Sequence, residues 1–270
     1  MQVQASDNLL IPQPVRVLHS VKETPDSITI TLGVRLNHKP GQFVQVSVMG
    51  VGEAPISIAS WGGSTTTLHI RQVGNVTGAI GDLRAGDTLF IRGPYGNGFP
   101  MDETWRQNLI LVGGGCGVAP LRGVIQHILS HRADYGEVIA FLGFRKPTEL
   151  IFESDIERWD KAASLHVSFD AMEEGCSIRA SEGFVTELVR QASLPSEQTT
   201  AFLCGPPIMM SIASEILLKK GLPEERLYLS MERLMYCSAG DCCHCMIGGK
   251  YTCVDGPVFR WNEIKEHVRE

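Results

Sequence analysis

Five of the eight cysteines fall within the 17 residues from Cys237 to Cys253, and four of them have a spacing with chemical meaning. Cys237, Cys242, Cys245 and Cys253 read C-x4-C-x2-C-x7-C. The first three follow the plant-type spacing by which thiolates wrap two bridged irons, a [2Fe–2S] cluster. Ser238, Ala239, Gly240 and Asp241 are mostly small, so a loop of them can close round such a cluster and aim backbone N–H groups at sulfur. Structural zinc is the rival: it also takes four cysteines, but usually as two separated C-x2-C pairs, and only one such pair exists among these four. Cys243 lies inside the x2 gap and reads as a non-ligand thiol. His244 reads as a surface or hydrogen-bonding residue.

A second constellation is the glycine loop from Gly113 to Pro120, between the apolar run Leu109-Ile110-Leu111-Val112 and the helical pattern of Leu121, Val124, Ile125, Ile128 and Leu129. Glycines let backbone approach a pyrophosphate, and a helix N-terminus offers free N–H groups to it. Gly113 and Gly115 fit the G-x-G-x-x-G pattern, but its last position is Val118. The strand that follows ends in Gly143-Phe144-Arg145-Lys146 rather than in an acid. A tight strand-to-helix turn would leave the same residues. Arg145 and Lys146 could meet a ribose 2′-phosphate or simply end a solvated loop.

These groups need elements to hold them. The first hundred residues alternate with period two in Ile28–Leu32, Val44–Val48 and Leu68–Gln72, with a shorter run at Leu89–Ile91. Pro40-Gly41, Gly62-Gly63, Ala85-Gly86-Asp87 and Gly93-Pro94-Tyr95-Gly96 separate them as turns, which predicts an antiparallel barrel or sandwich. Beyond Trp105, buried strands at Leu109–Val112, Val138–Leu142 and Thr200–Cys204 alternate with helices, the second marked by Ile208, Ile212 and Ile216. That order predicts a parallel sheet covered on both faces. The part after Met231 is too small for a core of its own. The expected division is residues 1–103, 104–230 and 231–270.

Composition narrows the function classes. With 270 residues, 43% hydrophobic, 20% charged and a net charge of −6, the chain is expected to be a soluble globular protein with no affinity for nucleic acid. The longest apolar run, Leu109 to Leu121, is too short to span a bilayer, and Met1–Asp7 lacks the start of a secretory signal. A cytoplasmic location follows, where crowded thiols mean metal more often than disulfides.

Taken together, the chain from about Gln13 to Phe259 resembles the ferredoxin–NADP reductase superfamily, in the branch with a C-terminal [2Fe–2S] cluster. That branch includes electron-transfer subunits of dihydroorotate dehydrogenase B, gamma subunits of NiFe sulfhydrogenases and the corresponding subunit of anaerobic sulfite reductase. The resemblance rests on Gly52–Ile58, Ile70–Thr77, Arg92–Gly98, Gly113–Pro120, Cys204–Met209 and the tail Cys253–Phe259. It implies three cofactors: FAD, NAD(P)H and the cluster. FAD would lie on Ala54, Pro55, Ile56 and Ser57, where the family's Arg-x-Tyr-Ser has lost its arginine and its aromatic, as in the Pro-Ile-Ser variant of the dihydroorotate branch. Arg71, with Ile70 and Gln72 on its strand and Val76 and Thr77 beyond, would face the FAD pyrophosphate; otherwise Arg71 is an exposed strand residue. NAD(P)H would use Gly113, Gly114, Gly115, Gly117 and Arg145, with Gly205 and Pro206 bringing the nicotinamide to the flavin. Cys204 would lie beside the reacting carbon or be a buried strand-end thiol. No general acid or base is required. The implied role is that of an electron-transfer subunit, with redox partners carrying the terminal iron–sulfur, sirohaem or NiFe site. A dihydroorotate dehydrogenase-type subunit, a stand-alone NAD(P)H reductase and a zinc-bearing nucleotide sensor are the alternatives.

Overall fold

The computed structural model describes residues 10–269 apart from 174, 175, 177, 196 and 197; the N-terminal stretch Met1–Asp7 lies outside the described residues. Six strands form an antiparallel sheet: β1 (Gln13–Thr24), β2 (Ser27–Leu32), β3 (Phe43–Val48), β4 (Gly52–Ser57), β5 (Thr66–Arg71) and β6 (Thr88–Tyr95). Their order is β4-β3-β6-β1-β2-β5, and the two edges meet at a bridge between Ile58 and Leu68, so the sheet rolls into a barrel. Helix α1 (Asn75–Gly81) follows β5. The period-two residues behave as the alternation demands: Ile28, Ile30, Val44, Val46, Leu68 and Ile70 fill one interior.

Two features depart from the sequence reading. The longest strand, β1, was not foreseen, because its alternation breaks where Leu18, His19 and Ser20 lie outside the core. Gly93-Pro94-Tyr95 is not a turn either. The strand β6 runs through it with a register shift, and Tyr95 pairs with Phe43.

The second sheet holds seven strands: β7 (Asn108–Gly114), β8 (Val138–Phe144), β9 (Ser164–Phe169), β10 (Ser181–Glu182), β11 (Thr199–Cys204), β12 (Leu227–Ser230) and β15 (Val258–Arg260). Its order is β10-β9-β8-β7-β11-β12-β15, parallel except for the last pairing. Strands buried on both faces need apolar residues at every position. Leu109 and Leu111 pack with α2 (Val118–Ser130), whereas Ile110 and Val112 pack with α4 (Val185–Gln191) and α5 (Pro207–Lys219). A short α3 (Ile156–Asp160) precedes β9. The isoleucine stripe expected on α5 fails at its start, where Ile208 is 56% exposed. Steps of four overshoot a helical turn by about 40°, so the buried face runs instead through Met210, Ala213 and Leu217.

After the cysteines, the hairpin β13 (Met246–Ile247) and β14 (Lys250–Tyr251) leads back to the parallel sheet. There β15 and α6 (Trp261–Ile264) bury Phe259, Trp261 and Ile264 in the same core as α5.

Candidate functional site

Three groups of residues converge around the junction of the two sheets. The first is the loop from β7 to α2. Here close packing, not only turn geometry, demands glycine. A Cβ on Gly117 would sit 2.4 Å from the Cys204 carbonyl oxygen, and one on Gly114 would sit 2.5 Å from Met209 Sδ. Gly205 in turn approaches the Gly114 backbone. The glycine loop and the Cys204-Gly205-Pro206 turn are therefore pressed together at the ends of neighbouring strands, with Cys204 opposite Gly113 in register. Gly115 differs: it has φ +53° and nothing within 4 Å of where a methyl group would stand, so its surroundings are open.

Cys204 is 2% exposed, and burial pushes its thiol far above the ordinary range, with Glu232 adding to the effect. It stays neutral and is a poor nucleophile there. Glu232, just beyond β12, is exposed, and desolvation by the surrounding protein raises its carboxyl. It also acts on Cys116, whose thiol is raised first by burial. Nothing in the sequence marked Glu232. At the end of β8, Arg145 is exposed and has Asp170 for a neighbour, a carboxyl raised by burial and lowered by that arginine. Lys146 pairs with Glu173 at 3.4 Å. The acid missing from β8 thus stands at the end of the adjacent strand β9.

The second group is the barrel end. Ala54 and Ile56 on β4 turn into the barrel core, leaving Pro55 and Ser57 on the other face. Ile70 is fully buried in the core and pairs with Ile28 on β2, and the side chain of Gln72 lies against Gly81. Arg71 Nε donates to Asp26 Oδ2 at 2.7 Å, both side chains nearly half exposed. Arg71 also feels Cys116, and β5 packs beside the Gly115–Gly117 turn, so barrel end and glycine loop are neighbours. Thr77 Oγ1 accepts from the Val73 and Gly74 N–H groups at 3.0 Å, which occupies it in starting α1; Val76 approaches Gly52 at the head of β4.

The third group is the cysteine loop. Its thiols fall into two pairs. Cys237 Sγ accepts N–H groups from Ala239 and Cys242 at 3.4 Å and lies beside the Cys242 thiol, while Cys245 and Cys253 stand 3.3 Å apart, sulfur to sulfur. Amide hydrogen bonds, that of Cys237 foremost, hold the Cys242 thiol down to about 7. Among the described residues no three His, Cys, Asp or Glu side chains converge as the ligands of one ion. Two pairs suit two bridged irons better than a single tetrahedral zinc. Cys243, at φ +59°, turns outward to the Tyr251 hydroxyl at 3.2 Å, and His244 meets the Cys242 carbonyl and the Tyr236 ring instead of the thiols.

The residues that hold this loop escaped the sequence reading. Gln45 and Arg92, only 1% and 8% exposed, lie on the outward face of the barrel sheet opposite one another in register. Gln45 Nε2 donates to Ser238 Oγ at 2.7 Å, and Arg92 donates to the Tyr236 and Cys237 carbonyls. Asn97 Nδ2 donates to the Asp255 and Val258 carbonyls. A cavity of about 380 Å³ between Trp61, Thr65, Arg122 and Arg158 shares none of these residues.

The chain is similar to known proteins over most of its length. Residues 111–215 match the oxidoreductase NAD-binding domain, and residues 232–265 match the iron–sulfur cluster binding domain of dihydroorotate dehydrogenase B. The chain is 39% identical over 243 residues to the sulfhydrogenase 2 gamma subunit of Pyrococcus furiosus, covering 83% of each. It is 30% identical to a probable dihydroorotate dehydrogenase B electron transfer subunit of Methanocaldococcus jannaschii, covering 96% of this chain and 93% of the relative. A solved NADH-dependent reduced ferredoxin-NADP oxidoreductase shares the fold with a TM-score of 0.75 at 24% identity, over 94% of this chain and 92% of that one. No helix among the described residues is long and apolar enough to cross a membrane.

Proposed function

This chain belongs to the family of ferredoxin–NADP reductase-like electron-transfer subunits that includes sulfhydrogenase gamma and dihydroorotate dehydrogenase B subunits, and from that premise we propose how its residues divide the work. Residues 1–103 carry FAD, residues 104–230 carry NAD(P)H, and residues 231–270 carry the cluster, with Val258–Arg260 returned to the parallel sheet. The observation that supports this most is the pair of thiol pairs docked on the barrel through Arg92.

Nicotinamide would supply two-electron hydride chemistry, flavin the exchange between two-electron and one-electron transfer, and the cluster one-electron transfer. The chain supplies position. Gly113, Gly114, Gly115 and Gly117 admit the pyrophosphate to the Gly115–Gly117 turn that leads into α2, whose first N–H, that of Val118, is already bonded to this turn. Gly205 and Pro206 set the turn that faces it. Cys204 offers a neutral, fully buried thiol, which contributes packing and a low dielectric without adding charge. On the barrel, Pro55 and Ser57 present the flavin face, held in place by Ala54, Ile56 and Ile70 packed in the core beneath. Arg71, steadied by Asp26, offers positive charge towards the glycine loop, with Gln72, Val76 and Thr77 beyond it in the chain. Arg145 receives the adenosine end. Cys237, Cys242, Cys245 and Cys253 bind the irons.

The partner is a subunit bearing the terminal catalytic site, of the sulfhydrogenase type by the 39% identity, in a reducing cytoplasm. A dihydroorotate dehydrogenase-type subunit is the second reading, favoured by the match of residues 232–265. Anaerobic purification from the native source tests both. Flavin bands and a cluster absorption that bleaches with NADH or NADPH are expected, and the co-purifying subunit decides between the two types. A colourless protein that holds zinc would overturn the proposal.

A further inference from the structure

Arginine is costly to bury and is tolerated only when its charge and all its donors are satisfied. Arg92 meets that condition with no donor to spare. Its five N–H groups reach Glu53 Oε1 (2.8 Å), Glu53 Oε2, the Tyr236 carbonyl (2.8 Å), the Cys237 carbonyl (2.6 Å) and the Tyr95 hydroxyl (3.0 Å). Glu53 is held in turn by Ser47 Oγ at 2.8 Å.

The geometry gives this ion pair a direction. Glu53 belongs to β4, immediately before Ala54–Ser57, and Ser47 and Gln45 lie on β3 between it and β6. The carboxylate lies on the barrel side, and the guanidinium projects from it onto the backbone of Tyr236 and Cys237. The positive end of the pair is thus the end in contact with the cysteine loop. A fixed positive charge beside a redox centre stabilises the form carrying one more electron, most of all where water is excluded.

We propose that the Glu53–Arg92 pair is a positioning element for the cluster: through Glu53 it locks the Cys237 backbone to the strand that carries the flavin stretch, and it biases the cluster towards its reduced form. Arg92 touches neither sulfur nor iron and acts through the loop it holds. The inference rests on the assignment of the cluster to Cys237, Cys242, Cys245 and Cys253.

Opposite single-charge changes test it. Anaerobic redox titration of the purified full chain, followed by visible absorption and by low-temperature EPR, is compared for the wild type, Arg92→Gln, Arg92→Lys and Glu53→Gln, with iron content as the control. Arg92→Gln leaves a net negative group behind and lowers the midpoint potential; Glu53→Gln leaves a net positive one and raises it. Arg92→Lys keeps the charge but not the fork, so its potential stays near wild type while iron is lost in air roughly tenfold faster, as expected from lost charge-assisted hydrogen bonds. If Arg92→Gln loses its iron outright, the sign of the Glu53→Gln shift decides alone. Shifts of one sign, or none, in variants that keep their iron would overturn the proposal while the cluster assignment stands. A wild-type chain without iron would bring down both.

Discussion

Cys253 and Cys243 show what a thiol's surroundings decide. Cys253 is 2% exposed, and burial first, then the neighbouring Cys245 sulfur, pushes it up to about 12. Such a thiol would rather stay protonated until a metal replaces the proton, so binding of iron must release it. Cys243 is exposed and directed away from its neighbours by a left-handed backbone. Cys243→Ser is expected to keep two irons per chain and an unchanged visible spectrum, whereas Cys253→Ser loses the cluster absorption. Equal iron in both would rule out this ligand set. The four proposed ligands could be picked out because their spacing alone suggests them. Arg92 and Gln45 were not, because a polar residue on the outer face of a barrel strand reads as solvated. Only the docking of a segment more than 140 residues later buries them.

At the scale of elements, the β7–loop–α2 unit separates two reasons for glycine. Gly117 is needed for contact: a methyl there meets the Cys204 and Gly205 backbone at about 2.5 Å, and backbone cannot step aside as a side chain can. Gly117→Ala is expected to destabilise the fold by about 1–3 kcal/mol, read from denaturant unfolding. Gly115 is needed for conformation and access. Gly115→Ala costs the fold only about 1 kcal/mol for its positive φ, yet it puts a methyl in the space the pyrophosphate would use. Its dissociation constant for NAD(P)H should rise more than that of a variant with equal loss of stability elsewhere; an unchanged constant, measured by flavin-independent titration, would remove the loop from the nucleotide site. The unbroken apolar runs announced β7, β8 and β11 because burial on both faces leaves no other composition. The strand β1 and the return of β15 were silent, since their pairing partners lie far along the chain and their own patterns are short or broken.

Across the whole molecule, barrel and parallel-sheet domain are held by contacts that sense acid. His69 on β5 sets its ring edge-on to Phe152, with centroids 5.2 Å apart, and Nδ1 lies 3.2 Å from Thr29 Oγ1, while Nε2 is buried without a partner among the described residues. Burial lowers its pKa from 6.5 to about 4; Asp26 pulls it up slightly and Arg122 pushes it further down. Nearby, Arg122 donates to the Ala59 carbonyl and pairs with Asp155, and Trp61 packs on His127, another imidazole lowered by burial to about 4. A histidine kept neutral in the fold binds fewer protons than the same residue unfolded. Its contribution is therefore complete above pH 6.5 and is lost as pH falls towards 4, up to about 3 kcal/mol for His69. Urea unfolding at pH 7, 5.5 and 4.5 should show stability falling with pH, and more shallowly in His69→Leu. The slope will not vanish, because His127 still titrates in the same window. An identical slope in the variant would show that His69 is protonated without cost, and hence that the contact with Phe152 does not exclude water from its ring.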